Sequence, residues 1–189
     1  FFLPAIMQEF RARHPQLELE LTEADAPHLA DLILQGRLDV ALIYGTHVSA
    51  QLAFDAVASY RPYAMVACDH PLAGRRRVHL SELIEEPLIL LDVHPSRPNT
   101  EDIFGALALR PLIGHTTTSF ELVRCLVGRG LGYGVLIQRP ATTTTYEGQE
   151  IAILELSGDV PVATVGLARP PGAPRTARYA ALQRFLSER

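Results

Sequence analysis

The residues up to Gly45 alternate helix, strand, helix and strand, and this alternation constrains the fold more than any other feature of the 189-residue chain. From Phe1 onward, Leu3, Ile6, Met7 and Phe10 fall at i, i+3, i+4 and i+7 and build one apolar helix face, opposite Gln8, Glu9, Arg11 and Arg13. His14-Pro15 ends that helix, because the residue before a proline is pushed out of the α region. Leu17, Leu19 and Leu21 alternate with Glu18 and Glu20, which predicts a strand with one wet face. Asp25 fits an N-cap with Pro27 in the first turn, and Leu29, Leu32 and Ile33 form the next apolar stripe. Gly36 stands where a C′ glycine belongs. Leu38 to Tyr44 is nearly all apolar, as expected of a strand covered on both faces. The pattern is β-α-β-α-β without its first β, and it predicts a parallel sheet. The expectation is a piece of a longer protein, with a strand and part of the functional site upstream of Phe1.

Phe54–Val57 and Tyr63–Cys68 read as further strands of the same sheet, and His70-Pro71-Leu72-Ala73-Gly74 as a breaker cluster and candidate crossover. A second α/β unit follows. It comprises a short helix at Val78–Leu83, a strand at Pro87–Leu91, and a helix at Glu101–Leu109 capped by Thr100. Then come a strand at Leu112–Thr116, a helix at Ser119–Val127, a turn at Gly130–Gly134 and a strand at Val135–Ile137. Thr142–Thr145 reads as a flexible polar loop. Ile151–Leu156 and Val162–Ala168 read as strands, and a Pro/Gly linker leads to a last helix bearing Tyr179, Leu182, Phe185 and Leu186 on one face.

Composition narrows the function. A 48% apolar and 20% charged chain can bury an ordinary core. Its net charge of −4 argues against a nucleic-acid surface, which needs a basic patch. The one basic cluster, Arg75-Arg76-Arg77, follows a Pro/Gly turn and reads as a solvated loop rather than a phosphate site. Cys68 and Cys125 sit in separate apolar runs, as two buried free thiols of a reducing compartment would. No apolar run approaches the roughly 18 residues of a membrane span. The histidines (His14, His28, His47, His70, His79, His94 and His115) show no metal-ligand spacing, and no nucleophile elbow or triad stands out. Neither cofactor, metal nor enzymatic activity is expected.

The candidate chemistry lies at strand ends. Thr116-Thr117-Thr118-Ser119 runs from a strand into a helix N-terminus, where backbone N–H groups and the helix dipole favour an anion. Plain N-capping by Ser119 or Thr118 is the alternative. His94-Pro95-Ser96-Arg97-Pro98 follows another strand, and Arg97 could pair bidentately with a carboxylate or simply be a solvated loop residue. Tyr133, in the glycine-rich turn, could line a site or be a packed turn aromatic. That turn is weak as a phosphate loop, since it precedes a strand.

Taken together, several segments resemble the effector-binding domain of LysR-type transcriptional regulators. They are Leu3-Pro4 through Phe10, His14-Pro15 before a strand, Gly36-Arg37-Leu38-Asp39-Val40-Ala41-Leu42, and His70-Pro71-Leu72-Ala73. The series continues with Leu80-Ser81-Glu82-Leu83 before Pro87-Leu88-Ile89-Leu90, and Leu126-Val127-Gly128-Arg129-Gly130-Leu131-Gly132. The likeness spans essentially the whole chain; no single segment is specific, but their order and spacing are.

The resemblance implies an α/β fold of two Rossmann-like lobes joined by two crossover strands, similar to type 2 periplasmic binding proteins. The implied lobes are residues 1–69 with 159–189, and 70–158, with crossings near His70–Gly74 and Ser157–Val160. An N-terminal winged helix-turn-helix, a linker helix and the first strand would lie outside this chain, so DNA would be met only through those parts. The implied ligand is a small effector, an organic acid or anion, held between the lobes by Thr118, with Thr117, Ser119, Ser96, Arg97 and Tyr133 nearby. Asp25 faces the same cleft in the family pattern, but Ala26 and Pro27 offer no hydroxyl where many relatives have one, so Asp25 reads better as a cap. A homodimer or homotetramer is implied, with Leu3–Phe10 of one subunit beside Phe120–Val127 of the other. The implied setting is cytoplasmic, with no membrane partner. A transporter's solute-binding protein of the same fold is the alternative, and an enzyme using Asp92 or His94 a third reading.

Overall fold

A computed structural model describes residues 3–46 and 48–188. The expected helix start at Phe1 and the histidine at position 47 lie outside the described residues. Helices α1 (Leu3–Arg13) and α2 (Ala26–Leu34) precede strands β1 (Ala41–Tyr44), β2 (Ala53–Tyr60), β3 (Tyr63–Ala67) and β4 (Arg77–Val78). A 3-10 turn at Leu80–Glu82 leads to β5 (Pro87–Leu91), α3 (Ser96–Ala106), β6 (Leu112–Thr117), α4 (Phe120–Gly128) and β7 (Gly134–Leu136). The chain closes with β8 (Ile151–Leu156), β9 (Ala163–Arg169) and α5 (Ala177–Ser187).

Packing divides these elements into Phe1–Ser59 with Thr164–Arg189, and Tyr60–Ala163. The crossings thus fall at the end of β2 and the start of β9 rather than at His70–Gly74 and Ser157–Val160. The reason is β3: expected in the same sheet as β2, it instead pairs antiparallel with β7 and β8 in the second unit.

In the first unit the sheet order is β1-β9-β2, and β1 runs antiparallel to β9. Leu167 of β9 joins Phe10, Phe185 and Leu186 on the face covered by α1 and α5. Ala168, its neighbour, joins Leu29, Ala30 and Ile33 of α2 on the other face. Leu17 and Leu19 pack on the first of these clusters while Glu18 and Glu20 stay exposed, so the alternation is real. Even so, Leu17–Leu21 makes no strand ladder among the described residues, and Leu21 is exposed. β1 is shorter than expected and leaves Leu42 exposed. Gly36, at φ +69°, closes α2: its N–H donates to Ile33 and that of Arg37 to Leu32, both 2.9–3.0 Å, a Schellman ending. Asp55 on β2 ties this unit together by accepting from Tyr179, Arg169 and Arg175, and these partners hold its carboxyl below the usual range.

In the second unit β5 pairs parallel with β6, and β3 lies between β7 and β8. The two ladders join where Tyr133 bridges Leu88: Tyr133 N–H donates to Pro87 (3.0 Å) and Ile89 N–H to Tyr133 (2.8 Å). Gly132 makes this approach possible, since a Cβ there would lie 2.1 Å from the Pro87 carbonyl oxygen. Side-chain alternation fills both faces. Leu88, Leu90, Val66 and Leu154 pack with Ile103 and Phe104 of α3. Ile89, Leu91, Met65 and Ile151 pack with Val123 and Val127 of α4. Continuous apolar strands covered by helices on both faces are what an α/β sheet requires.

Several local readings change. α3 begins at Ser96, not Glu101, so Ser96, Arg97 and Pro98 are its first turn; a proline is tolerated there because the first N–H groups of a helix have no intrahelical acceptor. Thr100 is therefore no cap but is buried inside the helix, with its hydroxyl donating to the Ser96 carbonyl at 2.9 Å. The helix expected at Val78–Leu83 is a 3-10 turn capped by His79. Thr142–Thr145 is pinned rather than free: the buried Arg124 donates to the carbonyls of Thr142 (2.7 Å) and Thr144 (2.8 Å). Cys125 is buried, but Cys68, just past β3, is exposed. The arginines of the 75–77 cluster are each paired, Arg75 with Glu82 and Arg76 and Arg77 with Glu155.

Candidate functional site

Adjacent parallel strands β5 and β6 send their following segments to opposite faces of the sheet. β5 leads into α3, packed with Leu88 and Leu90, and β6 into α4, packed with Ile89 and Leu91. Such a divergence opens a crevice at the carboxyl ends of the strands, where open α/β sheets bind ligands. The ends are fastened together, since the Asp92 N–H donates to the Thr117 carbonyl at 2.8 Å.

Thr117, Thr118 and Ser119 form the β6–α4 corner. Ser119 is the N-cap, with extended backbone (φ −97°, ψ 117°), and its Oγ accepts from Leu122 N–H at 3.2 Å. Thr117 Oγ1 accepts from Ser119 N–H at 3.1 Å. Both hydroxyls act here as acceptors, so each keeps its O–H to donate. Thr118 is exposed and its hydroxyl makes no hydrogen bond among the described residues. The capping alternative therefore holds for Ser119 and not for Thr118.

In the segment after β5, Arg97 is no solvated loop residue. Its Nε donates to Asp92 Oδ1, and its Nη1 lies 3.6 Å from Glu101. This pairing raises the arginine's pKa further and holds the Asp92 carboxyl below the ordinary range, the hydrogen bond from Arg97 being the main cause. Ser96 is half-buried beside it.

The other two candidates lie elsewhere. Tyr133 is fully buried among Leu88, Val135 and Leu154; its hydroxyl has no partner among the described residues, and burial pushes its pKa up. It is the packed turn aromatic. Asp25 belongs to the first unit, where its Oδ1 accepts from His28 N–H at 2.9 Å and caps α2.

Sequence reasoning missed what braces the corner. Glu121, in the first turn of α4, pairs with Arg124 Nη1 at 2.6 Å and accepts from Tyr146 N–H at 2.6 Å. The i, i+3 spacing of Glu121 and Arg124 is the one signal in the sequence, and it does not reveal that Arg124 is buried. Among the described residues no group of three or more His, Cys, Asp or Glu could hold a metal ion, and no helix is long and apolar enough to cross a membrane.

Comparison with known proteins shows the family of the chain. The family model described as LysR substrate binding domain matches residues 1–189, and the chain belongs to that family. The probable hydrogen peroxide-inducible genes activator of Mycobacterium leprae is 27% identical over 191 residues, covering 100% of this chain and 61% of that protein. The C-terminal domain of a probable LysR family transcriptional regulator from Rhodococcus sp. RHA1 is 31% identical with a TM-score of 0.89, covering 98% of this chain and 91% of that one. The BenM effector binding domain with its effector benzoate superimposes with a TM-score of 0.85 at 22% identity, covering 100% of this chain and 85% of that one, a likeness of fold alone. The chain spans about half the length of the curated relatives it matches. It is thus the effector-binding domain of a LysR-type regulator, with the α/β, periplasmic-binding-protein-like fold expected from its sequence. The transporter alternative is not favoured, because the matching proteins are transcriptional regulators.

Proposed function

We propose that this chain senses a small carboxylate at the carboxyl ends of β5 and β6 and controls the DNA binding of a longer regulator. The observation that carries the reading is the unengaged Thr118 hydroxyl at the start of α4, flanked by two hydroxyls with donors to spare. An anion there gains hydrogen bonds from hydroxyls and a favourable helix dipole, the latter about 0.3–1 kcal/mol. The benzoate bound by BenM is an effector of this chemistry. Binding that favours one arrangement of the regulator over another would shift its DNA-binding parts by that difference in affinity. Such a regulator acts where the DNA is, in the cytoplasm, and needs no catalytic group.

The test is titration calorimetry with sodium benzoate on the 189-residue chain and Thr118→Ala. Loss of one hydrogen bond to a charged group should weaken binding by about tenfold with thermal stability unchanged. Equal affinity would remove Thr118 from the site.

Self-association belongs to the same reading. Leu112 and Ile113 on β6 and Leu122 on α4 are exposed large apolar residues, a surface suited to a second copy. Analytical ultracentrifugation should show a concentration-dependent dimer, and a monomer mass at every concentration would contradict it.

A further inference from the structure

Residues 142–150 are held against α4 in a different way from the rest of the second unit. Among the described residues, none of them joins an apolar cluster. The segment is closed on itself instead. Thr145 N–H donates to the Gln149 carbonyl (2.8 Å), Gly148 N–H to the Thr145 carbonyl (2.9 Å) and Gln149 N–H to Thr145 Oγ1 (3.0 Å), while Glu150 accepts from the hydroxyls of Thr143 and Thr144. Its ties to the helix are polar. Buried Arg124 donates to the carbonyls of Thr142 and Thr144, Glu121 Oε1 accepts from Tyr146 N–H at 2.6 Å, and Arg129, just past α4, pairs with Glu147 at 2.6 Å. Arg124 Nε is also buried and has no partner among the described residues, so the closed arrangement carries an unmet donor that opening would hydrate. At Gly128 the segment and the helix come close: a Cβ there would lie 2.8 Å from Gln149 Cβ and 3.3 Å from Thr145 Cγ2. A thiol lies under this segment. Glu121 Oε1, the atom that receives Tyr146 N–H, is 3.9 Å from Cys125 Sγ, and Cys125 is buried.

We propose that residues 142–150 form a strap that lifts from α4 as a unit, with Arg124 as its latch, and that this opening controls the reactivity of Cys125. A segment bonded within itself and fastened by polar links opens at a lower free energy than the apolar core beside it, because opening exposes little apolar surface. Closed, the strap shields the thiol; open, it leaves a nucleophile that a reagent in water can reach. The device is independent of where an effector binds.

The experiment is the rate of thiol labelling of the 189-residue chain by the aromatic disulfide DTNB. Cys68 is exposed, so Cys68→Ser leaves Cys125 as the reporter. In that background Gly128→Ala should speed labelling severalfold, because the added methyl pushes the strap off while alanine suits the helix itself. Arg124→Met should speed it by about tenfold or more, since both strap carbonyls lose a charged donor. Arg129→Gln removes only an exposed pair and should change the rate by less than about twofold. In dilute urea the rate should stay nearly flat until global unfolding begins, as an opening that exposes little surface requires. Gly128→Ala decides the matter if Arg124→Met does not fold. An unchanged rate in Gly128→Ala overturns the proposal. So does a rate that follows the full urea dependence of global unfolding, since Cys125 would then be reached only in the unfolded chain.

Discussion

The starts of α2 and α4 solve one local problem in opposite ways. Both caps are extended residues whose side-chain oxygen accepts from the N–H three positions on, at 2.9 Å for Asp25 and 3.2 Å for Ser119. At α2 the cap is a carboxylate and a proline occupies the first turn, so the positive end of the helix already has its anion and one N–H fewer. At α4 the cap is a neutral hydroxyl, and the nearby Glu121 carboxylate is drawn off by Arg124 and the Tyr146 N–H. The same kind of helix start thus carries its own anion in one unit and only neutral hydroxyls in the other. Cap identity, more than cap geometry, separates the two helix starts.

The largest way to break this contrast is to remove the brace. Arg124→Met leaves Glu121 and two carbonyls without their donor and should lower stability by about 2–3 kcal/mol, read by thermal or urea unfolding. A neutral result would mean that the α4 start needs no such support. Converting one start into the other comes next: Ser119→Asp keeps a good cap but installs the anion, so benzoate affinity should drop by about tenfold while stability changes by less than about 0.5 kcal/mol. The smallest effect belongs to α2. Asp25→Ala should cost about 1 kcal/mol of stability and leave benzoate affinity unchanged. A loss of binding there would bring Asp25 back as a ligand contact.

Much of this fold was legible because burial writes itself into apolar runs. β5 and β8 occupy the expected Pro87–Leu91 and Ile151–Leu156, and α1, α2, α4 and α5 lie where their apolar stripes and caps place them. Leu17–Leu21 misleads because alternation reports a half-buried segment and says nothing of whether a backbone partner exists. α3 misleads because Pro98 looks like a breaker and Thr100 like a cap, although a first-turn proline leaves no acceptor unmet. At the candidate site, the hydroxyl corner was readable as a structural feature from strand, threonines and helix in succession. The pairing of Arg97 with Asp92 and the burial of Arg124 were not. Both depend on which way a side chain turns after the chain has folded back; Arg124 meets carbonyls 18 and 20 residues further on.

The central claim is that the α4 start receives the effector's carboxylate and the α2 start does not. Backbone amide chemical shifts of the 189-residue chain during titration with sodium benzoate test it most directly. The account predicts saturable shifts largest at Thr118, Ser119 and Glu121, with Ala26 and His28 unmoved. Saturable shifts at Ala26 and His28 with a silent α4 start would contradict it.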